Sequence, residues 1–157
     1  MKKLILPIVC LSFIYTQCNE SNWQDYAPDL TGCIFTNADL SNSDFSSMYA
    51  SYISFINSDL SNSNFSDFQG EGIAVNSNFE LANFQNSSIK ISFVNCNLIE
   101  ANFNDSDGLG GYFIFSNFKD ANFEDADLAK DAIGCNFQNT ILENTGFNEF
   151  DAFNSYF

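Results

Sequence analysis

From Pro28 to Phe157 a large apolar residue recurs every five positions, with a small residue two places before it. The windows Ala38-Asp39-Leu40, Ser43-Asp44-Phe45, Ser58-Asp59-Leu60, Ser63-Asn64-Phe65, Ala82-Asn83-Phe84, Ala101-Asn102-Phe103, Ala121-Asn122-Phe123 and Ala126-Asp127-Leu128 share one wording: small residue, Asn or Asp, then Leu or Phe. A helix face recurs every 3.6 residues and a strand face every 2, so neither explains a period of five. A polygonal coil does, with each pentapeptide as one side. The Leu or Phe then points to the axis, the small residue fills the space beside a corner, and the Asn or Asp points outward to hydrogen-bond nearby backbone. Backbone groups pair with the coils above and below at about 4.8 Å.

The number of sides follows from where the period slips. Central residues run from Leu30 in steps of five to Val75, from Phe79 to Val94, from Leu98 to Ile133, and from Phe137 to Phe157. The steps Val75 to Phe79, Val94 to Leu98 and Ile133 to Phe137 are each one residue short, and they fall on one corner only if four pentapeptides close a turn. The expected fold is therefore an all-β solenoid, four-sided, of six to seven coils and roughly 30 Å tall at the inter-strand spacing. Leu40, Leu60, Phe79, Leu98, Phe118, Phe137 and Phe157 form one interior column, and Phe45, Phe65, Phe84, Phe103, Phe123 and Leu142 the next. The column Leu30, Ala50, Gly70, Ile89, Gly108, Leu128, Phe147 loses its large residue three times. Nearby, Met48, Tyr49, Tyr52, Phe68 and Tyr112 stand off-register. They either refill the gaps, which the intolerance of interiors for voids favours, or form an aromatic contact patch.

The repeated windows resemble the pentapeptide repeat family, and the resemblance covers nearly all of residues 28 to 157. It implies a right-handed quadrilateral β-helix; handedness and turn type come from the resemblance alone. A solenoid of this length is one domain, stabilised by packing between neighbouring coils.

Residues 1–18 lie outside the repeat, with Lys2 and Lys3 ahead of an apolar stretch from Leu4 to Tyr15 and then Thr16-Gln17-Cys18. This has the form of a secretory signal, too short to span a membrane comfortably. Cleavage before Cys18 gives an arrangement similar to a bacterial lipoprotein, with Cys18 as the lipidated anchor; ordinary signal-peptidase cleavage nearby, without lipid, is the alternative. Residues 19–27 are then a polar tether and N-terminal cap, in which Trp23 and Tyr26 close the first coil. The expected location is the cell envelope, at the outer membrane or in the periplasm. Cys33, Cys96 and Cys135 occupy small inward slots, as free cysteine suits. Cys96 and Cys135 lie two coils apart, about 10 Å, beyond the reach of a disulfide; no disulfide is expected. At the other end Phe150, Phe153, Tyr156 and Phe157 either fold under the last coil or form an end-to-end interface between copies.

Beyond Cys18 the chain carries all 20 acidic residues against Lys90, Lys119 and Lys130, with no Arg and no His, a net charge near −17. Such a surface repels nucleic acid and anionic lipid and attracts basic proteins or cations. Without His or Arg the commonest general base and phosphate clamp are missing. There is no Gly-x-Ser-x-Gly elbow either, so an enzyme is not expected. Asp105 with Asp107, and Glu124 with Asp125 and Asp127, are the acid clusters; neither has a known Ca²⁺-loop spacing, and no cofactor or metal is expected. The expected function is an exported, lipid-anchored acidic scaffold for a basic protein partner. The alternative, implied by resemblance to some pentapeptide repeat proteins, is a DNA mimic that binds a type II topoisomerase.

Overall fold

The structure is a computed structural model and describes residues 18–128 and 130–157. It is a parallel β-solenoid of about six turns with almost no helix. The export leader expected over residues 1–17 lies outside the described residues. Among the described residues no helix is long and apolar enough to cross a membrane.

One face of the solenoid carries a seven-stranded parallel sheet, one strand per coil: β1 Ile34–Thr36, β2 Tyr49–Ile56, β3 Gln69–Val75, β4 Ser88–Val94, β5 Phe113–Ile114, β7 Ala132–Ile133 and β9 Ala152–Phe153. We call it the first face. The second and third faces are built around the Leu40 and Phe45 columns, and their coils pair through single bridges such as Asp39 with Asp59 and Asn64 with Asn83. The fourth face follows the Leu30 column; there β6 Asp127–Leu128 pairs with β8 Gly146–Phe147. Strands β2 to β4 run continuously from the fourth face onto the first.

The second and third faces show why the sequence coils. In each unit the Asn or Asp side chain accepts a hydrogen bond from the backbone N–H two residues on, as Asp39 does from Ser41 (3.2 Å) and Asn102 from Asn104 (3.2 Å). The residue before the next small one then takes positive φ, as at Asn42 (58°), Asn62 (57°) and Asn86 (56°). A backbone bond such as Ser43 N–H to the Leu40 carbonyl (3.2 Å) closes the corner. Asn tolerates this conformation better than most residues, which is why the corners are rich in it.

Inside, the Phe45 column is a continuous ring stack. Centroid separations are 4.8 Å for Phe45–Phe65, 4.9 Å for Phe65–Phe84, 4.8 Å for Phe84–Phe103 and 4.8 Å for Phe103–Phe123, with interplanar angles of 15°, 12°, 2° and 1°. Leu40, Leu60, Phe79, Leu98, Phe118 and Phe137 are likewise buried, and Leu142 packs half-buried below Phe123. The small slots carry their own bonding. Ser58, Ser77 and Ser116 donate from their buried hydroxyls to carbonyls of the preceding coil, at Phe35 (3.4 Å), Phe55 (3.2 Å) and Phe93 (3.1 Å). Cys96 takes the equivalent place, 3.4 Å from the Ala74 carbonyl.

The fourth corner departs from the sequence expectation. The short steps fall one unit earlier than the periodicity suggests. Phe55 pairs with Ala74, Ala74 with Phe93, and Phe113 with Ala132, so Ala74, Phe93 and Ala132 point inward. Val75, Val94 and Ile133, expected as central residues, face outward. The cause is a β-bulge. Between the pairs Ala50–Gly70 and Ile53–Gly72, β2 has two residues where β3 has one, and the extra residue Tyr52 is pushed out at φ 60°. The third coil omits it and bends tightly at Gly72, where a Cβ would collide with the Ile53 carbonyl. A second slip occurs at Gly108. Leu109, not Gly108, bridges to Leu128 and is buried.

The top is closed by residues 18–27, which fold back as turns rather than running out as a tether. The 3-10 turn Trp23–Asp25 sets the indole over Phe45 with centroids 4.5 Å apart. The Cys18 carbonyl accepts from Ile34 N–H (3.1 Å), which brings Cys18 beside Cys33 in a disulfide with Cα atoms 4.6 Å apart. This corrects the expectation of no disulfide. That expectation weighed only the cysteines of the repeat, whereas the pairing partner arrives from the folded-back cap.

The corrected register predicts unequal costs for neighbouring substitutions. Phe93→Ala should lower stability by about 3–5 kcal/mol through cavity formation. Val94→Thr, on the outer surface, should change it by less than about 1 kcal/mol in denaturant unfolding. Equal losses at the two positions would return the register to the sequence expectation.

Candidate interaction surface

The four faces differ in what they show to solvent. On the second face the position after each central residue carries Ser41, Ser61, Glu80, Ile99, Lys119 and Gln138, and on the third Ser46, Ser66, Gln85, Asn104, Glu124 and Glu143. Amide side chains there form ladders, as from Asn64 to Asp44 (3.1 Å), Asn97 to Asn78 (3.0 Å) and Asn102 to Asn83 (3.1 Å). On the first face the same position reads Thr36, Ile56, Val75, Val94, Ile114, Ile133 and Phe153, paired coil to coil. Its acids, Asp131 and Asp151, belong to the last two coils.

The five off-register residues divide. Phe68 is fully buried and its ring occupies the space beside Gly70; a Cβ on that glycine would meet it. Met48 is half-buried against the core. These two refill the interior, so neither belongs to a contact patch. Tyr49, Tyr52 and Tyr112 are exposed, Tyr52 to 76%. Tyr49 and Tyr52 lie in the second coil and Tyr112 in the fifth, so they do not form one cluster. Tyr49 lines a shallow groove on the fourth face together with Gly70, Glu71 and Lys90.

Sequence reasoning missed Phe115. It stands at the corner after the first face, where the coils above carry Asn37, Asn57, Asn76 and Asn95, with amide bonds from Asn76 to Asn57 (3.2 Å) and from Asn95 to Asn76 (2.8 Å). Phe115 ends that ladder at φ 51° and is 64% exposed, its ring lying over Gly134 in the next coil. The signal was present: a bulky apolar residue at a corner position that is otherwise Asn or Gly.

Several charged groups have local partners. Lys119 pairs with its neighbour Asp120. The carboxyls of Asp29, Asp39 and Asp44 sit below the ordinary carboxylate range because side-chain hydrogen bonds with Thr31, Ser41 and Ser46 stabilise the ionised form. Burial pushes the Cys96 thiol up to about 11 and raises that of Cys135, so neither is a reactive nucleophile. Among the described residues no group of His, Cys, Asp or Glu is arranged to hold a metal ion. The Cys18 sulfur, the expected lipid attachment point, is engaged with Cys33. One sulfur cannot hold both a disulfide and a thioether, so the two fates exclude each other.

The family model for pentapeptide repeats matches the chain in eight copies, over residues 29–47, 38–67 and 91–130, just over half of its length. No curated protein matches. Among solved structures, a pentapeptide repeat protein (Rfr23) from the cyanobacterium Cyanothece 51142 is 18% identical, with 87% of this chain and 95% of that one covered and a TM-score of 0.49. Full-length QnrB1, a plasmid-mediated fluoroquinolone resistance protein, is 19% identical over 82% of this chain and 76% of that one, with a TM-score of 0.33. HetL, involved in heterocyst differentiation regulation in the cyanobacterium Nostoc, is 15% identical over 78% and 84%, with a TM-score of 0.22.

Two outcomes follow for the groups described above. In the native protein Cys96 and Cys135 should resist a thiol reagent at pH 8 and react only once denaturant opens the coils. For Asp39 and Asp44 the folded carboxyl binds its proton less tightly than the unfolded one. Their stabilisation is therefore complete above the ordinary carboxylate value of about 3.9 and is lost as pH falls through the lowered folded values. The variant carrying Asp39→Asn and Asp44→Asn should accordingly lose less melting temperature than the parent between pH 4 and pH 2.

Proposed function

The chain belongs to the pentapeptide repeat family, and from that premise we propose that it is an exported, non-enzymatic scaffold whose acidic solenoid binds a basic protein partner. The observation that carries the export reading is the Cys18–Cys33 disulfide, which ties the folded-back cap to the first coil. Such bonds persist in oxidising compartments and are rare in the cytosol. The apolar leader with Lys2 and Lys3 points to the same compartment independently. The scaffold reading is supported by what the surface offers: fixed ladders of amides and carboxylates on two faces, and an excess of negative charge that steers cationic proteins towards it.

On this reading the mature protein is held closed by the disulfide rather than anchored by lipid at Cys18. The topoisomerase-binding alternative fits less well, because a duplex mimic presents charge around the rod and the first face is apolar over most of its height. Intact-mass analysis of the protein isolated from its own cells separates these fates. We expect a chain cleaved upstream of Cys18, two mass units lighter than its fully reduced form, and absent from the detergent phase on partitioning. A lipid adduct on Cys18 would return the protein to a membrane anchor. An uncleaved, reduced chain in the cytosol would end the export reading.

A further inference from the structure

We propose that the first face is a docking strip for one amphipathic helix of a partner protein, its apolar side laid along the sheet and lysine or arginine on its flanks. The proposal deepens the scaffold reading above and rests on it. Two outward rows cover the strip. One is Thr36, Ile56, Val75, Val94, Ile114, Ile133 and Phe153; the other alternates Ile34, Ser54, Ile73, Ser92 and Tyr112 before ending at Asp131 and Asp151. Equivalent positions on the second and third faces are almost all polar, so of these three faces the first alone carries outward apolar residues in register from coil to coil, half-exposed from Ile56 to Ile133 and more exposed at Ile34, Ile73, Tyr112 and Phe153. Contiguous exposed apolar surface on a soluble domain marks contact sites.

A second observation points to the same face. Bulky residues at positive φ are uncommon and cost stability, and such outliers concentrate where function retains them. Among the described residues three bulky apolar residues take it and are exposed, Tyr52 (φ 60°), Leu81 (φ 61°) and Phe115 (φ 51°); the two aromatics flank the first face, and Leu81 stands between the second and third. Tyr52 occupies the corner leading into the first face and Phe115 the corner leading out. With Tyr112 on the strip, they supply the rigid aromatic anchors that interfaces favour.

Dimensions and charge select the occupant. Coils above and below satisfy the strand backbones of the face, so a partner must bind side chains and not add a strand. The strip is about 10 Å wide, three extended residues, and about 29 Å tall, six inter-coil steps. A single helix is about 10–12 Å across and covers that height in about 19 residues. Asp39 and Asp59 border the strip on one side and Asp131 and Asp151 lie at its foot, while the fourth-face side balances Glu71 against its register partner Lys90, and Lys130 against Glu149. The border is net acidic, which asks for cations on the partner. A second copy of this chain would bring acid against acid.

The probe is a fluorescein-labelled 19-residue helical peptide with leucine on one side and lysine on both flanks, titrated with the disulfide-intact protein by fluorescence anisotropy. Controls are the same peptide with glutamate in place of lysine and a lysine–serine helix without the apolar side. The variant Ile73→Ser, Tyr112→Ser, Phe115→Asn installs at each position a residue that the coil above carries in register. It should fold with an unchanged or higher melting temperature and bind the leucine–lysine peptide about tenfold or more weakly. Leu81→Asn, at the exposed corner between the second and third faces, should leave binding unchanged. If the triple variant binds as well as the parent, or the lysine–serine helix binds as tightly as the leucine–lysine one, the strip is not the site, although the acidic scaffold reading stands. If only the leucine–lysine helix fails to bind, the strip fails alone; if neither basic helix binds, both readings fail. A concentration-dependent dimer in sedimentation that the triple variant abolishes would overturn the proposal in favour of self-association.

Discussion

The spacing between coils is the constraint from which everything else in this molecule follows. Parallel strands hydrogen-bond at about 4.8 Å, and the phenylalanine rings of the third face stack with centroids 4.8 to 4.9 Å apart. Backbone pairing and ring stacking therefore want the same rise. A coil of 19 or 20 residues meets that rise when each side turns one apolar residue inward and closes its corner at positive φ, which Asn or Asp supplies at most of the corners. The interior is full, so the chain's chemistry is displaced onto the outer rows.

Most of this was legible in the sequence because it depends on local repetition. The Leu40 and Phe45 columns, the inward small slots of Cys96 and Cys135, and the outward hydrogen-bonding role of Asp39 or Asn102 all follow from a period read along the chain. The fourth corner did not follow. Whether a missing residue is taken from one side or the next is decided by pairing between coils, here by the Tyr52 bulge against Gly72, and a one-dimensional period carries no information about pairing. For that reason Val75, Val94 and Ile133 were assigned inward when Ala74, Phe93 and Ala132 hold those places.

The same distinction explains what was legible of the surface. Phe68 and Met48 could be read as gap filling from the loss of large residues at Gly70 and Ala50, and the structure places them so. The disulfide was hidden because it joins the first coil to a segment without repeat, and only the folded-back cap brings Cys18 to Cys33. The apolar rank on the first face was hidden by the register error itself. Once Val75, Val94 and Ile133 turn outward, they join Ile56 and Ile114 in one apolar row in register from coil to coil, and this side of the rod differs from the second and third faces.

The central claim is that four pentapeptide sides close one coil and that successive coils are interchangeable. Deleting one whole coil, residues 79–97, joins Asn78 to Leu98 and should leave every column in register; deleting half a coil, residues 79–88, should set the fourth-face sequence on the second face. Circular dichroism with thermal unfolding of the two deletions tests this directly. The account predicts a parallel-β spectrum and a cooperative melt for the whole-coil deletion and loss of both for the half-coil deletion. Equal tolerance of the two, or a folded half-coil deletion beside an unfolded whole-coil one, would contradict it.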